Sequence, residues 1–154
     1  TDMQAAVGCA QLEKLPAFVE ARRKNFAYLR EKLHAAGRFL VLPEPCPGSR
    51  PSWFGFLMTC KEGICKNGIV QHLEKHGVQT GMLFAGYLLR QPCFGTMRKS
   101  AQGYRVVGNL EKTDRIMQDA FWIGVYPGMT TEMMDYMADR ILEALDLDRS
   151  RSGK

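Results

Sequence analysis

The sequence predicts a two-layer α/β unit, on three observations. Apolar residues recur at helical spacing in two long segments, around Val19–Leu33 and Met134–Leu145. Short apolar runs between them, Phe39–Leu42, Trp53–Thr59, Val78–Phe84 and Ala120–Val125, have strand length. The chain has 154 residues, 45% hydrophobic and 24% charged, which suits one core and is too short for two.

The elements follow in order. Thr1 or Asp2 can cap a first helix, whose stripe is Met3, Ala6, Val7, Ala10 and Leu12. Cys9, between Gly8 and Ala10, reads as a tight packing point. Pro16 starts a second helix or kinks the first, because it lacks an N–H and crowds the preceding turn. That helix carries Val19, Phe26, Leu29 and Leu33 on its apolar face, and Gly37 is its expected C-cap. Its basic run, Arg22 to Lys24, reads as a solvated face. After the strand Phe39–Leu42, Pro43–Pro51 holds four prolines and a glycine and must be loop.

Trp53–Thr59 is apolar on both parities, the pattern of a strand covered on both faces. Trp53, Phe54 and Phe56 therefore imply a docking surface for another domain or a second subunit. Asn67 can cap a helix to His76, stopped at Gly77. Val78–Phe84 is a strand, and residues 85 to 109 form a long irregular segment. A short helix from Asn109 or Thr113 to Gln118 leads into strand Ala120–Val125. Tyr126–Gly128 turns, and Thr130 caps a last helix bearing Met134, Met137, Ala138, Ile141 and Leu145. The polar tail Asp148–Lys154 reads as frayed.

Charge and cysteines bound the function. A net charge of +5 suits an anionic ligand but lacks the clustered basic face of a nucleic-acid binder. No apolar run reaches the ~20 residues needed to span a bilayer. The chain opens without a basic start and an apolar core segment, so no secretory signal is expected, and five scattered cysteines make a poor disulfide framework. A reducing, cytoplasmic location with free thiols is expected. The opening Thr1–Asp2, without an initiator Met, reads as the continuation of a longer protein.

No dinucleotide or P-loop glycine pattern is present. His72 and His76 have metal-ligand spacing on a helix, yet a surface pair near a helix C-terminus is the plainer reading. The informative stretch is Gly81–Phe94, a strand end running into a glycine turn and Arg90–Gln91–Pro92. Arg90 offers a planar fork for phosphate or carboxylate, and Phe84, Tyr87 and Phe94 can stack on a base or sugar. Equally, Arg90 can form a structural ion pair and the aromatics can be core.

Several separated motifs carry a resemblance. Thr1–Gly8 with Ala10–Leu15 resembles the start of the C-terminal part of the DegT/DnrJ/EryC1/StrS sugar aminotransferase-like enzymes. Pro51–Phe56, Leu83–Gly86, Arg90–Pro92, Tyr104–Gly108 and Phe121–Gly128 together resemble one branch, the NDP-4-keto-6-deoxy-glucose 3-dehydrases of lipopolysaccharide dideoxysugar biosynthesis. The sequence departs from that pattern at Gly81, where the branch carries Arg, and at Tyr87, where it carries Asn.

The resemblance implies a small two-layer α+β domain with a mostly antiparallel sheet, the C-terminal domain of a fold-type I pyridoxal-phosphate enzyme. Residues 1–147 would form it, with 1–15 a linking helix from a large domain and 148–154 a disordered tail. The implied activity is dehydration of CDP-4-keto-6-deoxy-glucose at C3, using pyridoxamine/pyridoxal phosphate and an iron–sulfur cluster. Both groups would sit in the large domain, so none is expected on this chain alone. The implied partners are a nucleotide-sugar substrate, a flavin/iron–sulfur reductase and a second copy in a homodimer. Phe84, Arg90 and Gln91 would lie on the substrate side, with no catalytic residue or metal ligand in this chain. A sugar-nucleotide aminotransferase domain and a stand-alone, non-catalytic binding module are the alternatives.

Overall fold

The computed structural model describes residues 1–84 and 86–152. Its centre is a four-stranded sheet in the order β1-β2-β4-β3, every neighbouring pair antiparallel. The strands are β1 (Leu40–Val41), β2 (Gly55–Cys60), β3 (Thr80–Met82) and β4 (Ala120–Gly124). Helices α2 (Leu15–Lys32), α3 (Lys66–Lys75) and α6 (Thr131–Ser152) form the second layer. Helix α1 (Asp2–Leu12) precedes them, and α4 (Gly95–Ser100) and α5 (Glu111–Asp119) lie between β3 and β4. The two-layer α+β expectation with an antiparallel sheet is met.

Period-two alternation divides the sheet into a buried and an open face. Phe56, Met58 and Cys60 of β2 and Phe121 and Ile123 of β4 are fully buried. They meet Phe26 and Leu29 of α2, Ile69 and Leu73 of α3, and Met134, Ala138, Ile141 and Leu145 of α6 in one core. The methionine-bearing stripe of α6 is thus core filling. Asn25 is the one buried polar side chain among the described residues; its Nδ2 donates to the carbonyl of Tyr126 at 2.8 Å and ties α2 to the turn after β4.

Within this chain β2 is covered on one face only, so the covering of its second face that its apolar pattern implies is not supplied by these residues. Gly55, Leu57 and Thr59 are only half-buried. Trp53 stacks on Phe26, with ring centroids 4.6 Å apart, and Phe56 is core, so neither is available for docking. Phe54 is exposed and meets the edge of Trp122 at 5.6 Å between centroids.

Other boundaries shift for local reasons. The first strand shortens to Leu40–Val41 because a 3-10 turn over His34–Arg38 absorbs Gly37, the expected C-cap. Pro16 sits in the first turn of α2, where its missing N–H costs nothing. Thr1 caps α1, but α1 buries no residue and Cys9 is exposed, contrary to the packing role expected of it. Cys65, not Asn67, is the N-cap of α3, and its N–H donates to Asp148 Oδ2 at 3.2 Å. Gly77 does end that helix, at φ +74. Thr130 Oγ1 accepts from Met133 N at 3.3 Å, the cap expected for α6. Helix α6 continues to Ser152, past Leu147 where the sequence placed the domain end; residues 153 and 154 lie outside the described residues. No helix among the described residues is long and apolar enough to cross a membrane.

Candidate functional site

β3 is an edge strand of three residues, shorter than the Val78–Phe84 run expected. The chain leaves it at Leu83 and folds into two 3-10 turns, Leu88–Arg90 and Pro92–Phe94, followed directly by α4. The expected long irregular segment is therefore partly built at its start, and its longest described stretch without a helix or strand is residues 101 to 110. Turns of three residues leave no periodicity to read, and Pro92 sits at the first turn where its ring is tolerated.

α5 braces the loop from below. Tyr87 N donates to Met117 Sδ at 3.4 Å, and a Cβ on Gly86 would meet Met117 Cγ at 2.9 Å. Gly86 lies at φ +61, so the backbone and the close approach both require glycine there. Lys66 Nζ in turn donates to the carbonyl of Met117 at 2.9 Å, linking α3 to the same point. Arg98 of α4 donates to the carbonyl of Leu89.

Arg90 joins the same bracing. Its Nε donates to Asp114 Oδ1 at 3.2 Å and its Nη2 to Oδ2 at 2.9 Å, a two-pronged pair. The guanidinium lies over the Tyr87 ring, 5.6 Å from its centroid. Asp114, first by its hydrogen bond and then by its charge, holds Arg90 firmly protonated, above the ordinary guanidinium value. The Arg90 side chain remains 56% exposed and Asp114 25%.

The three residues expected on the substrate side occupy one loop. Phe84 is 77% exposed and at φ +45, a left-handed conformation that is unfavourable for a bulky side chain. Gln91 sits between the two turns; its N–H donates to the Leu88 carbonyl at 2.9 Å and its carbonyl accepts from Phe94 N at 3.1 Å. Tyr87 and Phe94 are half-buried. Asp114 and Met117 were not legible as partners, being 24 and 30 residues away in sequence.

Elsewhere the candidate features resolve into structural roles. Arg23, within the basic run expected to be solvated, donates to the carbonyls of Arg50 at 2.6 Å and Pro51 at 3.4 Å. It helps shape a groove of about 1540 Å³ between α2, β1 and the proline loop. The groove's cations are largely spent on the fold: Arg30 pairs with Glu44 and Lys61 donates to the Gly37 carbonyl at 2.6 Å. His72 is half-buried; its Nε2 lies 3.3 Å from Glu143 Oε2 between α3 and α6, and its ring centroid is 4.2 Å from that of His76, the two rings tilted by 36°. Among the described residues no three His, Cys, Asp or Glu side chains are placed to hold a metal.

A pyridoxal-phosphate group needs a phosphate cup and a clamp for its ring. The loop after β3 does not fit it: Phe84 stands open to solvent, and the one fork on the loop is already engaged side-on by Asp114. The loop can instead present aromatic faces and outward N–H donors to a polar molecule resting on it.

Comparison with known proteins gives this geometry a context. The family described as DegT/DnrJ/EryC1/StrS aminotransferases matches residues 1–142. The lipopolysaccharide biosynthesis protein RfbH of Salmonella typhimurium is 49% identical over 150 residues, 96% of this chain and 33% of that protein. The dTDP-4-dehydro-2,6-dideoxy-D-glucose 3-dehydratase of Saccharopolyspora spinosa is 41% identical over 145 residues, 93% of this chain and 30% of that protein. The solved structure of E. coli GDP-4-keto-6-deoxy-D-mannose-3-dehydratase with bound hydrated PLP superposes with a TM-score of 0.76 at 25% identity, covering 90% of this chain and 34% of that one. The chain thus spans about a third of the length of these relatives. It belongs to the DegT/DnrJ/EryC1/StrS aminotransferase family.

Proposed function

We propose that this chain is the small domain of a nucleotide-sugar 3-dehydratase that serves lipopolysaccharide deoxysugar biosynthesis. The observation that carries this is the 41% identity, over 93% of the chain, to a protein named as a sugar 3-dehydratase. The 49% identity to a lipopolysaccharide biosynthesis protein supports the pathway. The proposed substrate is CDP-4-keto-6-deoxy-glucose, and Phe84, Arg90 and Gln91 are its contacts on this chain. Their shared loop, the exposure of Phe84 and the outward N–H groups of Arg90 support that role.

The net reaction replaces the C3 hydroxyl by hydrogen: the substrate takes up two electrons and two protons and releases one water. The reductant proposed is a flavin/iron–sulfur reductase. The pyridoxamine/pyridoxal phosphate and the iron–sulfur cluster would be bound by the large domain. Exposed Phe54 and Met82, beside half-buried Trp122 on the open face, support an interface with that domain or with a second subunit of a homodimer. Five free thiols suit a reducing cytoplasm.

The test uses the full-length enzyme with its reductase and the CDP-, dTDP- and GDP-linked 4-keto-6-deoxy sugars, with products identified by mass spectrometry. The expected product from the CDP sugar has lost the C3 oxygen. An aminated sugar that keeps the C3 hydroxyl overturns the dehydratase reading, and turnover of another nucleotide alone overturns the CDP assignment.

A further inference from the structure

We infer that Asp114 makes Arg90 a reader of an uncharged oxygen on the sugar rather than of the diphosphate. The inference rests on Arg90 facing the nucleotide sugar, as proposed above.

A guanidinium carries five N–H donors. Asp114 takes two of them side-on, at Nε and Nη2. The two N–H groups of Nη1 and one on Nη2 remain, and one N–H from each nitrogen forms the end-on edge of the fork. With the side edge fixed to α5 and one face set over Tyr87, that end-on edge has a defined direction. Arg90 is thus preorganised to donate, without having to search its rotamers.

The same pairing changes what the fork prefers. An unpaired arginine attracts a diphosphate mainly by net charge. Here the carboxylate sits within hydrogen-bonding distance of the guanidinium, so the pair is neutral as a unit and its field dies away within a few ångströms. A diphosphate approaching the end-on edge also meets the repulsion of Asp114. A carbonyl or hydroxyl oxygen meets no such penalty and gains the aligned N–H groups. Phe84, exposed on the same loop, offers an apolar face of the kind that packs against a sugar ring. Both features favour the uncharged end of the substrate. Asp114 is accordingly a positioning residue, acting through Arg90.

The test compares two constants in the full-length enzyme: KM for the nucleotide sugar turned over, and the inhibition constant of its free nucleoside diphosphate (CDP in the reading above). Arg90→Lys should raise KM about tenfold, the loss of an aligned charge-assisted bond, and leave diphosphate inhibition within about twofold. Asp114→Asn should raise KM as well, yet tighten diphosphate inhibition several-fold because the cation is unmasked. Asp114→Glu, which keeps the charge, should restore both constants toward the parent values at an unchanged melting temperature.

If Arg90→Lys leaves KM unchanged, Arg90 is not a substrate contact and the placement itself fails. If Arg90→Lys raises both constants together, Arg90 does face the substrate but reads the diphosphate, and the inference is overturned. If Asp114→Asn lowers the melting temperature with both constants intact, the pair only braces the loop, which overturns it too.

Discussion

The indole of Trp122 lies flat across Gly81 on the neighbouring strand. A Cβ at position 81 would stand 2.3 Å from Trp122 Cε2 and 2.6 Å from Nε1, and one at Gly55 on the other neighbour would stand 2.8 Å from Cε3. The ring is pinned by its N–H, which donates to the Met82 carbonyl at 3.1 Å. Gly81→Ala should therefore destabilise the domain by about 1–3 kcal/mol, because a rigid ring rather than a flexible chain end must move. Adding Trp122→Leu should recover most of that loss. Chemical denaturation of the single and double variants measures it, and additive losses would mean the ring is not the obstacle.

Phe84 sets stability against binding. Its φ of +45 costs about 1–2 kcal/mol that glycine does not incur. Phe84→Gly should raise thermal stability if that strain outweighs the glycine's greater chain entropy, and in the full enzyme it should raise KM for the nucleotide sugar. A variant that is more stable and binds normally would remove Phe84 from the substrate side.

Asn25 is a single buried tie between layers. Asn25→Ala leaves the Tyr126 carbonyl only the longer bond from Met129 N, at 3.4 Å, and removes the tie to α2, which should cost about 1–3 kcal/mol. Thermal unfolding checks it; a loss below about 0.5 kcal/mol would show that another donor takes over.

Cys60 should stand apart from the other thiols. It is fully buried on the core face of β2, and burial pushes its pKa up to about 12, so almost no thiolate exists at pH 8. Cys9, Cys46, Cys65 and Cys93 are exposed. Alkylation of the folded 154-residue chain at pH 8, followed by peptide mapping, should label those four quickly and Cys60 only after denaturant. Rapid labelling of Cys60 would contradict the packing of the core.

Lys32 and Tyr28 both contact Asp135. Lys32 Nζ lies 2.8 Å from Asp135 Oδ1, and the Tyr28 hydroxyl donates to the same oxygen at 2.8 Å. Lys32 first and Tyr28 second hold the Asp135 carboxyl below its ordinary value, and Asp135 in turn holds Lys32 above its own. The carboxylate's contribution is present above the unfolded carboxyl pKa and is lost as pH falls through the lower folded one. The lysine's contribution is present below the unfolded ammonium pKa and is lost as pH rises through the higher folded one. Lys32→Met should move the Asp135 midpoint upward in a carboxyl NMR titration, and Tyr28→Phe should move it less. An unmoved midpoint in Lys32→Met would show that the pair is not formed in solution.

The helices and the core were legible because their signals are periodic and local. Phe26, Leu29 and Leu33, and Met134, Ala138, Ile141 and Leu145, repeat at helical spacing, and all are buried as that spacing requires. Coverage of β2 was not, because both of its parities are apolar and periodicity cannot say which has a partner. Trp53 illustrates this: it stacks with Phe26, a contact set by the path of the proline loop and not by strand alternation. The site divides in the same way. The Gly81–Phe94 stretch stood out by residue type, but the engagement of Arg90 by Asp114 did not. That pair depends on where a later helix lands against the loop, which no local pattern records.

The chain's two tryptophans sit on opposite sides of the sheet, Trp53 against the helical layer and Trp122 on the open face. The molecule therefore carries two separable optical probes. Trp53 emission follows the seating of the proline loop on α2. Trp122 emission follows whatever covers the β3–β4 face and, through its bond to the Met82 carbonyl, the strand that leads into the Phe84–Gln91 loop. With Trp53 replaced by Phe, the colour of the remaining indole distinguishes a wet face from a covered one without any label being added.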